Sequence, residues 1–242
     1  MVALTGRDPR QTRPGGPEGP ERKTRALRKY EAEAIAVVAE GDVADGEGPR
    51  LDLFSPFGPM IAKAGMPSGL VDRINAFADR QVRDGVGSEF LLPPQFVGDG
   101  GADSLMRHTE RLIARYVRHM EGAAATRIQI DAFWIVSQYA GTPSPVHFHS
   151  GDISGVMYLK VPNIEGPEHE EKKTYISGRQ AGYINFLIGG KQRFSKSLIS
   201  FKPRVADFYV FPGWLLHGAE PFRGTGERRS LAFNAFVDVA EG

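Results

Sequence analysis

Apolar positions follow three regimes along the chain. Residues 1 to about 26 are rich in Pro, Gly and charge and carry too few apolar side chains to offset the entropy of ordering them, so a disordered tail is expected there. Ala26 to Glu40 could form a helix, or a helix running into a strand, and Leu51 to Phe57 reads as a short strand closed by Pro56. The next stretch has period 3.6. Leu70, Ile74, Phe77 and Ala78 share one side of a helix over 69–82 with Ser68 as its N-cap, and Leu105, Leu112, Ile113, Tyr116 and Val117 mark a second amphipathic helix within 104–120. His108 and His119 sit among charged neighbours on that helix and read as surface residues.

From Ile128 the period becomes 2. Ile128, Ile130, Ala132, Trp134, Val136 and Gln138 alternate with Gln129, Asp131, Phe133, Ile135, Ser137 and Tyr139, a long strand apolar on much of both faces. Further strands are expected over 153–161, 182–188, 198–201, 207–211 and 230–239. Several strands following two helices predict a mainly β protein, a sandwich or jelly roll buttressed by two or three α-helices. The expected organisation is a tail over 1–26, a helical and mixed buttress over 27–126 and a β core over 127–240, with one structural domain from about residue 51. The polar stretch 163–180 interrupts the strands and reads as a mobile lid or a surface excursion, His169 within it being solvated.

Charge narrows the partners. Lys+Arg 30 against Asp+Glu 29 gives a net charge of +1, which leaves no global footprint for nucleic acid or an anionic membrane. With no cysteine, His and carboxylates are the available transition-metal ligands. No window approaches the ~18 apolar residues of a membrane span, and the first residues lack the order of a secretory signal. The expected compartment is the cytoplasm, and a homodimer is compatible with the sequence.

The candidate chemistry lies in three segments. His147 and His149 are i and i+2, so in a strand both rings project from one face with Cα atoms ~6.5 Å apart, close enough to converge on one ion. His217 follows a strand that ends at Pro212, and so sits at a sheet rim, where an open metal position can face substrate. Arg228 and Ser230 share one face of the next strand, and a guanidinium with a nearby hydroxyl is a good receiver for a carboxylate. Arg229 points the other way and reads as a solvated charge. Three histidines and an arginine suggest a metal with an anionic co-ligand. The other readings are ordinary half-buried histidines, a cupin-type metal-binding module or small-molecule sensor, and a β-sandwich interaction domain.

The pieces HFHSGDISGVMYL, DFYVFPGWLLHGAEPF and ERRSLAFN, in that order, resemble the 2-oxoglutarate/Fe(II)-dependent oxygenases with the pattern H-x-H, S-G-V-x-Y-L, F-P-x-W-x-x-H and R-x-S-x-x-x-N. The resemblance covers roughly residues 128 to 239. It implies a double-stranded β-helix, His147 and His217 as iron ligands, and Arg228 with Ser230 as the holder of the distal carboxylate of 2-oxoglutarate. The implied reaction consumes O2 and a small-molecule or peptide substrate. One departure matters: the wider superfamily places a carboxylate two residues after the first histidine, where this chain has His149. Asp152 is the alternative ligand or, with His149 bound, an outer acceptor for an imidazole N–H. Trp134, Phe148, Tyr158, Trp214 and Phe233 are candidate pocket walls, and the loops 84–101 and 163–180 are expected to carry substrate specificity.

Overall fold

The computed structural model describes residues 51–54, 58–83, 88–97, 104–142, 144–164, 181–189 and 196–240. The expected tail, the segment 27–50 and most of the stretch 163–180 lie outside them.

Thirteen strands are described: β1 (Leu51–Phe54), β2 (Ile61–Gly65), β3 (Glu89–Leu91), β4 (Ala125–Gln138), β5 (Ser144–His147), β6 (Ile153–Lys160), β7 (Asn163–Ile164), β8 (Ile184–Leu187), β9 (Leu198–Phe201), β10 (Asp207–Pro212), β11 (Leu216–Ala219), β12 (Gly224–Thr225) and β13 (Arg228–Val239). Three helices accompany them: α1 (Ser68–Arg83), α2 (Pro94–Val97) and α3 (Leu105–Glu121). Seven strands form one sheet in the order β1-β2-β10-β6-β13-β4-β3, and four form a second in the order β5-β11-β8-β9. After β4 the chain crosses repeatedly between the two sheets: β5 joins the small sheet, β6 the large, β8 and β9 the small, β10 the large, β11 the small and β13 the large. That alternation of antiparallel strands is the winding of a double-stranded β-helix.

The layers follow from which side chains each strand turns inward. On β13, Leu231, Phe233 and Ala235 join a core that includes Leu70, Ile74 and Ala78 of α1 and Leu112, Ile113 and Tyr116 of α3. The helices therefore cover the outer face of the large sheet. The other face packs Tyr158, Tyr209 and Phe211 against Ile184 and Phe186 of the small sheet, which makes the space between the sheets a second core. The helix reading is close. α1 opens one residue earlier than expected, Pro67 rather than Ser68 supplying the carbonyl that accepts the N–H groups of Leu70 and Val71, while Ser104 caps α3 by accepting from the Arg107 N–H at 3.2 Å.

His108 corrects the sequence reading. It is buried on α3, because it stands three residues after Leu105 and four before Leu112, inside the apolar stripe that packs on the sheet. His119, at the far end of that helix, is exposed as expected.

Candidate active site

The small sheet brings the three histidines together. β5 pairs antiparallel with β11 so that His147 is directly opposite His217. His149 follows just beyond β5, where its N–H donates to the Gly213 carbonyl at 2.9 Å and the Gly213 N–H donates to the Asp152 carbonyl at 2.9 Å. These two bonds pin the H-x-H loop to the turn between β10 and β11. The fit is close enough that a Cβ on Gly213 would run into the Gly151 carbonyl, so the glycine of F-P-G-W is the residue that lets the two loops touch. Gly155, in S-G-V-x-Y-L, has the same character, since a Cβ there would strike the Phe233 ring.

The ring centroids of His147 and His217 are 4.4 Å apart, those of His147 and His149 4.9 Å, and those of His149 and His217 5.2 Å. One nitrogen from each ring lies within 4.8 Å of the others. The tautomers of two rings follow from their neighbours. A carbonyl only accepts, so the Nδ1–H of His147 donates to Pro145 at 2.8 Å and that of His217 to Leu215 at 2.9 Å. In each neutral ring the lone pair then sits on Nε2, the atom a metal needs. Burial lowers the His217 imidazolium to about 4 against the pull of the Leu215 carbonyl, and the fields of His147 and His149 add to that. Burial and His147 also lower His149. Neutral donors at physiological pH suit iron(II).

Asp152 does not join them. Its carboxylate accepts the Val237 N–H at 2.9 Å, and the cluster consists of His147, His149 and His217. At His147 and His217 backbone carbonyls, rather than Asp152, accept the imidazole N–H.

Arg228 opens β13 on the face turned toward the small sheet, with Ser230 two residues along on the same face, in register with Tyr158 of β6. Arg228 is 2% exposed. Its Nε and Nη2 donate to the Gln138 Oε1 at 3.0 and 2.7 Å, and Nη1 donates to the Glu220 backbone carbonyl at 2.7 Å. Both acceptors are uncharged. Two of its five N–H donors remain for a ligand. The Glu220 carboxylate accepts instead from the Asn185 amide at 2.6 Å. Burial lowers the pKa of Arg228, and Tyr158 and Glu220 oppose that shift. Burial holds the Tyr158 hydroxyl well above the usual range, so it stays protonated beside the arginine.

Arg229 faces the helices as expected, yet it is 1% exposed rather than solvated. Helix α1 covers that face of the sheet. Glu227 takes Nε and Nη2 at 2.7 and 3.0 Å, Asp79 of α1 takes Nη1 at 2.8 Å, and Asn75 accepts from Nη1 as well.

The candidate walls divide. The Trp134 ring stands 5.7 Å from that of His149, and Phe148 and Trp214 are 65% and 54% exposed on the two segments that flank the histidines. Tyr158 belongs to the core between the sheets. Phe233 is a correction: it is fully buried on the helix side, against Phe133 and Phe208, because it lies one residue out of phase with Arg228, Ser230 and Ala232. Residues the sequence reading passed over take the inner places. Phe211 and Phe186 pack on His217, with centroids 4.7 and 6.2 Å away, and Gln138, the polar end of the row Trp134, Val136, Gln138, is in register with Arg228.

A double-stranded β-helix with three convergent imidazoles, and a buried arginine hydrogen-bonded only to neutral oxygens, is an arrangement that could hold a metal ion and an anion. Residues 132–234 match the model of the family described as "Putative 2OG-Fe(II) oxygenase", a match that favours an oxygenase over the metal-binding cupin and the interaction domain. No curated protein matches the chain. Similar solved structures include a prolyl-4-hydroxylase from Pseudomonas putida, 14% identical over 74% of this chain and 92% of that one with a TM-score of 0.49. A viral collagen prolyl hydroxylase from Paramecium bursaria Chlorella virus-1 is 12% identical over 86% and 100%, TM-score 0.47. HygX from Streptomyces hygroscopicus, with nickel and 2-oxoglutarate bound, is 12% identical over 75% and 83%, TM-score 0.46. At these scores the three bear on neither the substrate nor the site residues. Among the described residues no helix is long and apolar enough to cross a membrane.

Proposed function

We propose that His147, His149 and His217 hold the iron through their Nε2 atoms, or for His149 through its cluster-facing nitrogen, and that Arg228 with Ser230 receives the distal carboxylate of 2-oxoglutarate. The observation that carries this reading is the pair of Nδ1–H bonds to the Pro145 and Leu215 carbonyls, which hold two rings with their lone pairs free. When bound, iron(II) and 2-oxoglutarate supply the chemistry by which O2 oxidises a substrate C–H bond. The chain's own part is positional. Phe186 and Phe211 keep water from one side of His217, Arg228 offers its remaining donors to the co-substrate, and the exposed Phe148 and Trp214 flank the approach of a small-molecule or peptide substrate. Three neutral imidazoles leave the metal its full charge, which an anionic co-substrate offsets. The near-balanced charge of the chain supports a substrate other than nucleic acid. We assign residues 127–240 as the oxygenase core, acting in the cytoplasm.

Anaerobic titration of Fe(II) into single variants tests the ligand set. His147→Ala, His149→Ala and His217→Ala each lower iron affinity by more than the ~10–100-fold that losing an outer-shell partner costs, while Asp152→Ala retains it. Full iron binding by His149→Ala together with its loss in Asp152→Ala would establish the carboxylate triad instead.

A further inference from the structure

We propose that Gln138 is the positioning residue that sets the co-substrate specificity of this oxygenase: its neutral carboxamide aims Arg228 while leaving the positive charge of that arginine for the ligand's distal carboxylate. The inference rests on the reading of Arg228 as the carboxylate receiver. Its basis is the register that puts Gln138 directly across from Arg228, and the side-on pair of bonds by which a single amide oxygen takes Nε and Nη2 at 3.0 and 2.7 Å. With Nη1 also bonded to the Glu220 carbonyl, the guanidinium is gripped at three donors and cannot swing. None of those acceptors carries charge.

The choice of an amide has a chemical consequence. A buried guanidinium held only by neutral oxygens carries a desolvation cost that an incoming carboxylate relieves, and the side-on grip directs that carboxylate to the remaining Nη hydrogens. A carboxylate at position 138 would make the same two hydrogen bonds and also neutralise the arginine, so the site would already contain its own anion. Glutamine is thus nearly isosteric with the residue that would block the site. The same chain uses the acid where neutralisation is wanted, one residue away, with Glu227 taking Nε and Nη2 of Arg229 in the same side-on manner. A 2-oxo acid with a second carboxylate is the ligand class this arrangement selects.

The test compares 2-oxoglutarate with 2-oxopentanoate, which has the same chain and lacks the distal carboxylate, by calorimetric titration into anaerobic iron-loaded protein. The parent prefers 2-oxoglutarate. Gln138→Glu lowers 2-oxoglutarate affinity on the order of 100-fold, leaves 2-oxopentanoate within a few-fold of the parent, and keeps or raises the melting temperature of the metal-free protein, because the buried charge is then paired. Iron affinity stays the same. If the glutamate variant fails to fold, Gln138→Met carries the test: it removes the acceptor, frees Arg228 to move and narrows the preference for 2-oxoglutarate roughly tenfold. Parent-like 2-oxoglutarate binding by Gln138→Glu, or an equal loss for both acids, overturns the proposal. Arg228→Ala separates the two levels of the argument. If it binds 2-oxoglutarate as the parent does, the receiver itself is misassigned; if it binds weakly while Gln138→Glu binds normally, only the role of Gln138 falls.

Discussion

Arg228 and Arg229 are adjacent, equally buried and opposite in purpose. Arg229 turns toward α1 and finds Glu227 in a side-on pair and Asp79 from the helix, so its charge is balanced within the fold. Arg228 turns toward the space between the sheets and finds an amide and a backbone carbonyl. Burial makes an ion costly in both places, and the fold offsets that cost with direct ion pairs in one of them and with the field of Glu220 alone in the other. A buried charge with no hydrogen-bonded counter-ion is a poor way to stabilise a protein and a good way to bind an anion. The pair also shows why a strand is an apt scaffold for a site, since one residue of phase separates a structural ion pair from the proposed carboxylate receiver.

The widest separation between the two arginines is in stability. Arg229→Ala leaves the Glu227 and Asp79 carboxylates without their guanidinium, and Glu227 is the more serious loss because its side chain is only 11% exposed. A loss of about 3–5 kcal/mol is expected from urea denaturation of the metal-free protein. Arg228→Ala exchanges three hydrogen bonds to neutral oxygens for relief of an unpaired buried charge, and its stability should stay within about 1 kcal/mol of the parent. Similar losses in the two variants would mean that Arg228 is neutralised in the folded protein, and the contrast drawn above would fail.

Much of this was legible in the sequence. Period 2 from Ile128 located the long strand β4, period 3.6 located α1 and α3, and the spacing of the H-x-H pair, His217 and Arg228 named the residues that the fold gathers. What the sequence could not disclose was the second layer. Phase told that Arg229 faces away from Arg228, but not that a helix lies over that face, because the partners Asp79 and Asn75 are some 150 residues distant in the chain. The same blindness hid His108, whose charged neighbours suggested solvent although its place at i+3 from Leu105 puts it on the packed stripe. Phe233 shares the parity of Arg229, so the phase that turns Arg229 toward the helices already turns Phe233 there too, whereas Gln138 is hard to single out because a polar residue ending an apolar row looks like the end of a strand until its cross-strand partner is known. Asp152 was plausible as a ligand by chemistry alone; the Val237 N–H that engages it belongs to a strand no local pattern connects to it.

Acid sharpens the comparison with a smaller effect. Burial raises the Glu227 pKa, but the hydrogen bonds from Ser137 and Arg229 and the fields of Arg229 and Lys160 outweigh it and hold the carboxyl below its ordinary 4.5. The unfolded chain therefore takes up this proton first as pH falls. The stability that Glu227 contributes is complete above about pH 4.5 and is lost as pH drops through the lower folded value. Comparing metal-free parent with Glu227→Gln across that range removes the histidines from the difference, since both proteins carry them. The stability gap between the two should be widest above pH 4.5 and should close below it. A gap independent of pH would mean that Glu227 acts through hydrogen bonds alone, with no charge matched to Arg229.

Lys160 marks the edge of the neutralised cluster and gives the smallest effect. Its Nζ bonds Asp79 at 2.7 Å and Glu227 at 3.2 Å, yet its side chain is 35% exposed and that of Asp79 44%. Water screens both pairs, and a half-exposed ion pair is worth roughly 0.2–1 kcal/mol. Glu227 also retains its side-on contact with Arg229 when the lysine is gone, so no buried carboxylate is stranded. Lys160→Met preserves the apolar stem and removes only the ammonium. A loss below about 1 kcal/mol is expected, reduced further by added salt. Double-mutant analysis with Arg229→Ala supplies the check: once the guanidinium is removed, the lysine becomes the remaining cation beside Glu227 among the described residues, so Lys160→Met should cost more in that background than in the parent. Equal costs in the two backgrounds would show that the lysine and the arginine act independently, and that Glu227 is neutralised by Arg229 alone.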